Sequence, residues 1–377
     1  MTTSRDRAGV FVVQDGVSAF VPRPLPPSPP IAIDGDLLGH LSSADQNLGR
    51  LDGVLQTVPN PDLFVAMYVR REAVLSSQIE GTQSTLEDLL AVELEPSTPG
   101  LPDDVEEVVN YVDAMNYGID RLSTLPLSKR LIREIHAQLL RTGRGAARTP
   151  GEFRTNQNWI GPDGAPIEQA TFVPPPVPDM NRSLDDIERF MNEERLLPVL
   201  VHVGLVHAQF ETIHPFLDGN GRVGRLLITF QLVQREALHR PLLYLSYYFK
   251  RNRAEYYDRL TAVRQAGDWE GWIRFFLRGV AETAAEATRT AQRILALREQ
   301  HRDAIQARLG VNGVRLHDLL FDRPLVTINL VKDQLGISFG TANSLVSQLE
   351  ADGLLIETTG RKRHRIFRYQ PYLDLLR

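Results

Sequence analysis

Nine consecutive residues, HPFLDGNGR from His214 to Arg222, bring together an imidazole, a carboxylate, two glycines, an asparagine and an arginine, with a second arginine at 225. His214 is the nearby base whose ordinary pKa lies closest to neutrality. Asp218 is a hard oxygen ligand of the kind Mg²⁺ uses when it bridges phosphates. Helical periodicity before and after the segment puts Gly219, Asn220 and Gly221 at the start of a helix. There, unpaired backbone N–H groups and the positive end of the dipole attract anions. Glycine lets the backbone approach an oxyanion closely, and Arg222 and Arg225, three apart, place two guanidinium forks on one side of that helix. The set reads as a site that moves a phosphorylated group onto a nucleophile. A Ca²⁺-type turn is the simpler reading of D-G-N-G taken without its flanks. Zinc on His207, His214 and Asp218 has neither an H-E-x-x-H pattern nor a cysteine behind it, and no P-loop pattern is present. His202 and His207, on an apolar helix, read as packed residues.

The flanking elements are mostly helical. Residues 21–34, VPRPLPPSPPIAID, favour extended, unpaired backbone, so 1–34 reads as a proline-rich arm. Apolar spacing from Asp36 to Leu94 predicts helix, broken near Glu80-Gly81, with Ser84 as the cap of the next helix. Val105, Val108, Val109, Val112 and Met115 mark a buried stripe on a further helix, and Ser128 caps the one after it. Residues 151–178 change character: Trp159 and Ile160 precede the turn-rich 161–164, and apolar residues return at 170–173, which predicts a small hairpin. Helices resume at Met180–Glu194, Pro198–Ile213 and Arg222–Leu238, and continue to about residue 305. After Gly310 the order helix, helix, strand–turn–strand suggests a winged helix-turn-helix.

The fold class is therefore mainly α: a helical core with a small β-hairpin flap, followed by a C-terminal winged helix-turn-helix. The expected division is an arm (1–34), an N-terminal helical unit (35–100), a catalytic core (101–300) and the winged helix (311–377). At 377 residues the chain is long enough for two or three domains, and 42% apolar with 24% charged residues is ordinary for a globular protein. The absence of cysteine removes disulfides, Cys-ligated zinc and thiol nucleophiles. No apolar run reaches the length of a membrane span, so no membrane partner and a cytoplasmic location are expected. A net charge of −5 argues against coating of nucleic acid by the whole surface. Residues 311–377 hold nine Lys or Arg against seven Asp or Glu. Arg361, Lys362, Arg363 and Arg365 gather in the wing, so DNA and protein both remain open as partners there.

HPFLDGNGRVGR matches the Fic-domain signature H-x-F-x-[DE]-G-N-G-R-x-x-R at every fixed position, and the chain resembles that family over roughly residues 35–300. The resemblance implies transfer of AMP from ATP to a Tyr, Thr or Ser hydroxyl of a target protein, with pyrophosphate leaving. It makes His214 the general base, Asp218 the Mg²⁺ ligand and Phe216 the anchor of the loop. Gly219, Asn220 and Gly221 form the anion hole, with Val223 and Gly224 in the same nucleotide-binding turn, while Arg222 and Arg225 hold the triphosphate. Tyr256 is the expected adenine-side contact. SSQIEG, Ser76 to Gly81, resembles the family's inhibitory motif [ST]-x-x-x-E-[GN], in which Glu80 would pair with Arg225 in place of a phosphate. Ser76, Glu80 and Gly81 are thus expected inhibitory residues acting in cis. The flap would hold an extended target segment by strand addition. Self-modification, a homodimer and DNA on the winged helix complete the expected partners. The rival reading is a DNA-binding transcriptional regulator whose Fic domain senses a nucleotide, although a sensor needs no general base.

Overall fold

The computed structural model describes residues 4–14, 16–56, 61–96, 100–162, 164–193 and 197–376. A 3-10 turn at Ser4–Arg7 leads into an antiparallel hairpin of β1 (Gly9–Gln14) and β2 (Val17–Pro22), paired from Gly9 opposite Pro22 to Gln14 opposite Val17. The first half of the predicted arm is therefore sheet. Alternating Val and Phe residues around a two-residue Asp-Gly connection are a hairpin signal that the prolines after it had masked. Asp15 itself lies outside the described residues.

Helices follow: α1 (Gly35–Gln56), α2 (Asp62–Ile79), α3 (Leu86–Leu94), α4 (Val105–Leu122) and α5 (Lys129–Leu139). The break at Glu80-Gly81 is present: Glu80 ends α2 and Gly81 has a φ of 99°. The cap of α3 is Thr85 rather than Ser84. Thr85 and Asp88 exchange side-chain and backbone bonds in a capping box, while the Ser84 hydroxyl donates to Asp104. Ser128 caps α5, its hydroxyl accepting from the Leu131 N–H. On α4 the buried stripe runs through Val105, Val108, Tyr111, Ala114 and Met115, with Val109 and Val112 only half-buried at its margin.

Residues 151–178 form no strands. Ile160 and Phe172 make a single antiparallel bridge around a 3-10 turn at Ile167–Gln169, so the flap is an irregular loop with one β-contact. Its prolines, 162, 166 and 174–176, remove the donors a ladder needs. Asp163, in the predicted turn, lies outside the described residues. The N-terminal hairpin braces this loop through Phe20 N–H donating to Val173 O at 2.9 Å.

α6 (Val177–Asn192), α7 (Val199–Ile213) and α8 (Asn220–Gln234) follow, then α9 (Ser246–Arg251), α10 (Arg253–Ala266) and α11 (Trp269–Asp322). Glu194, the expected end of α6, lies outside the described residues. α8 starts two residues earlier and ends four residues earlier than its apolar spacing suggests, although Leu238 beyond it is still buried. Leu200 to Ile213 of α7 are all buried, which places this helix on the axis of the core. α11 crosses it closely enough for Trp272 Nε1 to donate to Gly204 O at 2.7 Å.

α11 breaks at Gly310, with φ 61° and ψ −154°, and its last turns enter the C-terminal unit. That unit comprises β3 (Leu325–Thr327), α12 (Ile328–Leu335), α13 (Phe339–Ala351), β4 (Leu355–Glu357), β5 (Ile366–Tyr369) and the short α14 (Gln370–Leu373). Its sheet is antiparallel in the order β3-β5-β4. Its apolar residues join those of the helical core in one continuous cluster. No helix among the described residues is long and apolar enough to cross a membrane.

α4 meets α8 where Gly118 faces Phe230, and a Cβ at 118 would stand 2.3 Å from the ring. Gly118→Ala should therefore destabilise by about 1–2 kcal/mol net, overpacking outweighing the ~1 kcal/mol gain in helix propensity. Gly49→Ala in α1, where a Cβ meets open space, should be neutral or stabilising. Thermal unfolding of the two variants against the parent checks both signs.

Candidate active site

The loop between α7 and α8 is held from several sides. His214 closes α7 in the left-handed region, φ 49° and ψ 61°, a conformation costing a non-glycine residue of order 1–3 kcal/mol. Its carbonyl accepts from Arg154 Nε at 3.1 Å and Asn158 Nδ2 at 3.3 Å, and Arg154 N–H donates to Pro215 O at 2.9 Å. Asn220 spans the loop: Phe216 N–H donates to its Oδ1 at 2.8 Å and its Nδ2 donates to Phe216 O at 2.9 Å. Phe216 is fully buried and stacks on His136 with ring centroids 3.7 Å apart.

His136 is an internal strut. Gly151 N–H donates to its Nδ1 at 2.8 Å, so the proton sits on Nε2, which donates to Asp218 O at 3.0 Å. Burial pushes its pKa down to about 4, keeping this tautomer neutral. His136, Arg154 and Asn158 were not singled out from the sequence, where each is one polar residue in a helix or loop with no motif around it.

At the start of α8, Gly219 has a φ of 77°, open to glycine without cost, and turns the N–H groups of residues 220–222 out of the helix. Val223 N–H already donates to Gly219 O at 2.9 Å, and the Val223 side chain is fully buried. Gly224 faces inward, where a Cβ would stand 2.2 Å from Glu211 Oε1. Val223 and Gly224 therefore belong to the packing side of the helix, not to an anion cradle. The N–H groups left open to an anion there are those of residues 220–222.

Both arginines are 2% exposed and already paired. Arg222 donates to the buried Glu107 at 3.0 Å and lies 3.5 Å from Asp218 Oδ1. Arg225 donates through Nε to Ser76 Oγ at 2.8 Å, and through one terminal nitrogen to Ser76 O at 3.0 Å and Glu80 Oε1 at 2.7 Å. Glu80 Oε1 also sits over the cradle, only 2.3 Å from where a Cβ on Gly221 would be. Residues 76 and 80 thus meet residue 225 across 145 or more positions of sequence. Gly81 lets the chain turn away after Glu80. Burial alone would raise the Glu80 pKa, but the Arg225 guanidinium holds it below the ordinary value, with Arg222 and His214 contributing. A third of the Glu80 side chain, 33%, stays open to solvent.

The His214 imidazole is pushed down to about 4 by burial, with Arg154 and Arg264 adding to the effect, and is therefore a neutral base at physiological pH. Asp218 Oδ1 accepts from Gly219 N–H at 2.6 Å, whereas Oδ2 accepts no hydrogen bond among the described residues. No group of three His, Asp or Glu that could hold a metal occurs among the described residues. One free carboxylate oxygen beside an anion cradle suits Mg²⁺, which takes one or two carboxylates and completes its shell with phosphates and water.

Tyr256 is not at this site. It is 1% exposed, stacks on Phe249 at 4.6 Å, and its hydroxyl bonds to His207 Nε2 at 2.8 Å. It is a core aromatic. Its neighbour Tyr257 is 40% exposed, lies under Arg253 at 5.6 Å, and has its hydroxyl pKa raised by partial burial and by the charge of Glu80. Helical spacing points adjacent residues in different directions, and the sequence does not say which of two tyrosines faces outward.

Glu211, one turn before His214, is buried with Oε1 unpartnered, and burial raises its pKa to about 7. A folded-state value above the ordinary 4.5 means that Glu211 adds stability at low pH and loses it as pH rises through about 7. Glu211 should therefore lower stability by up to about 3 kcal/mol between pH 5 and pH 8, and Glu211→Gln should lessen the fall across this range, the buried Glu72 titrating in the same window. Urea unfolding of both proteins across this range checks it; parallel curves would mean that Glu211 is not the group responsible.

Two family profiles match the chain, "Fic/DOC family N-terminal" over residues 38–120 and "Fic/DOC family" over residues 126–232. A curated relative from Drosophila erecta, Protein adenylyltransferase Fic, is 29% identical over 204 residues, covering 53% of this chain and 36% of the relative. The protein of the same name from Drosophila ananassae is 31% identical over 209 residues, with the same shares. The chain thus matches about a third of the length of these relatives. Among solved structures, a Fic family protein from Desulfovibrio desulfuricans G20 superposes with a TM-score of 0.59 at 20% identity, over 90% of this chain and 98% of its own. A Fic domain containing signaling protein from Bacteroides thetaiotaomicron gives 0.53 at 19% identity, over 66% of this chain and 95% of its own. At these identities the likeness concerns the fold.

Proposed function

The chain belongs to the Fic/DOC family, and from that premise we propose that it is an ATP-dependent protein adenylyltransferase held in check by its own Glu80. The observation that carries this reading is the Glu80 carboxylate bonded to Arg225 at 2.7 Å above Gly221. An acidic group occupies the anion cradle from within the chain, as a stand-in for phosphate. The curated relatives bearing the name Protein adenylyltransferase Fic support the choice of AMP as the transferred group.

In the active arrangement Glu80 withdraws and Arg225 takes the γ-phosphate, while the N–H groups of residues 220–222 hold the phosphates nearer the ribose. Asp218 Oδ2 is the residue atom that would hold Mg²⁺, which supplies charge neutralisation of the phosphates when bound. A target hydroxyl loses its proton to the neutral His214 as its oxygen attacks the α-phosphorus. The new P–O bond forms as the bond from that phosphorus to the bridging oxygen breaks, and pyrophosphate departs. With Glu80 in place the γ-phosphate has no guanidinium, and the α-phosphorus is not in line with the nucleophile.

The flap supplies the docking edge for the target. Trp159 and Ile160 stand 41% and 37% exposed there, as a surface that meets an extended peptide needs to be. Tyr257 replaces Tyr256 as the proposed adenine contact, because its ring is the one open to solvent.

Incubation with ATP and Mg²⁺ followed by intact-mass measurement tests the reading. Glu80→Gly should raise AMP incorporation into the protein itself or an added target at least about tenfold, and Glu80→Gly with His214→Ala should return it to background. A phosphate adduct in place of AMP would reassign the donor chemistry, and no change on Glu80→Gly would remove the inhibitory role.

A further inference from the structure

The C-terminal unit builds a second polar cleft, of about 630 Å³, between the end of α3, the start of α13 and the turn joining β4 to β5. Lys362 and Arg363 line it from the turn, Asn329 and Asn343 from α12 and α13, and Leu94 and Glu95 from α3. Lys362 and Arg363 are exposed and have no carboxylate partner among the described residues. Arg365 also lines the cleft, but it is partly engaged, 3.8 Å from Glu350 and stacked on Phe367.

We propose that this cleft and the outer face of α13 form a docking site for duplex DNA. Two features favour DNA over an acidic protein. The first is the face of α13, where Phe339, Thr341, Ser344 and Gln348 are exposed and the outward residues before Glu350 carry no charge. Hydroxyls and amides on such a face suit base edges, whereas an acidic peptide would call for further cations. The second is the arrangement of cations. They sit on a turn beside the helix, not on it, as a backbone contact flanking a groove-reading helix requires. Ile337 and the capped start at Ser338 join α12 to α13 in a tight three-residue connection from Gly336, which fixes the two helices as one rigid reader. Glu95 is the one acidic member of the lining. α3 follows Glu80 after a connection of five residues, so a duplex in the cleft touches the same segment that carries the Glu80 carboxylate.

Fluorescence anisotropy of a labelled mixed-sequence duplex of about 20 base pairs, titrated with the full chain between about 50 and about 200 mM salt, provides the test. Binding should be micromolar at the low end and weaken steeply with salt. Lys362→Ala with Arg363→Ala should reduce the slope of log affinity against log salt by about 2 and weaken binding at least about tenfold at the lowest salt. The proposal is overturned if the parent protein does not bind at about 100 µM in low salt, or if the double variant binds as the parent does. It is equally overturned if polyglutamate displaces the labelled duplex as effectively as unlabelled duplex, since the surface would then be a site for acidic protein.

Discussion

Arg225 carries a charge that no ordinary pH removes, and it lies almost wholly out of contact with water. A buried cation without an anion is too costly to persist, so this side chain must be paired in every state of the protein. Three carboxylates surround it. Glu72 and Glu211 are buried, and their pKa values are raised to about 7 by desolvation, so near neutrality each is a weak counter-charge. Glu80 alone bonds to Arg225 directly and keeps part of its side chain in solvent. On the proposed reading the guanidinium exchanges Glu80 for another anion without passing through an unpaired state. That exchange is the physical basis for reading the site as a switch between an internal carboxylate and a phosphate.

The scaffold around the switch spends its hydrogen bonds on one short loop. Arg154 alone holds His214 O and Pro175 O, and with its own backbone N–H it also holds Pro215 O, tying the flap to the base of the loop. Asn220 and His136 fix the two ends, at Phe216 and Asp218. This density fits the backbone strain at His214, which needs an over-determined environment to persist. The result is a backbone at residue 214 whose position is set by its neighbours, while the pKa of the imidazole is set by burial. Both conditions suit the neutral base proposed for that position.

Continuity of the core gives the outer elements a mechanical relation to the switch. α11 packs along α1 and against α7, then runs into the C-terminal unit, and α3 packs on β3 of that unit just beyond the Glu80 turn. The N-terminal hairpin is bonded to the flap rather than trailing from it. Regulation by a ligand at either end would therefore act through packed helices rather than through a flexible tether.

The residues of the proposed site were legible in order because they are contiguous: His214, Asp218, Gly219 to Arg222 and Arg225 lie within four turns of chain. Helix periodicity, the cap at Ser128 and the break at Glu80-Gly81 placed the elements on either side. The sequence alone also carried the Ser76 to Gly81 motif, although only as a pattern whose partner had to be supposed. Tertiary structure decided what contiguity cannot express. It set Glu80 against Arg225 and Glu107 against Arg222, pairs more than a hundred positions apart. It brought His136 and Arg154 beneath the loop, chose Tyr257 over Tyr256 as the exposed ring, and turned Val223 and Gly224 inward. It also left the proline-bearing flap without a ladder while building a hairpin from residues 9–22. Local spacing fixes which side of a helix a residue occupies, but the direction that side faces depends on what packs against it, and those neighbours come from distant parts of the chain.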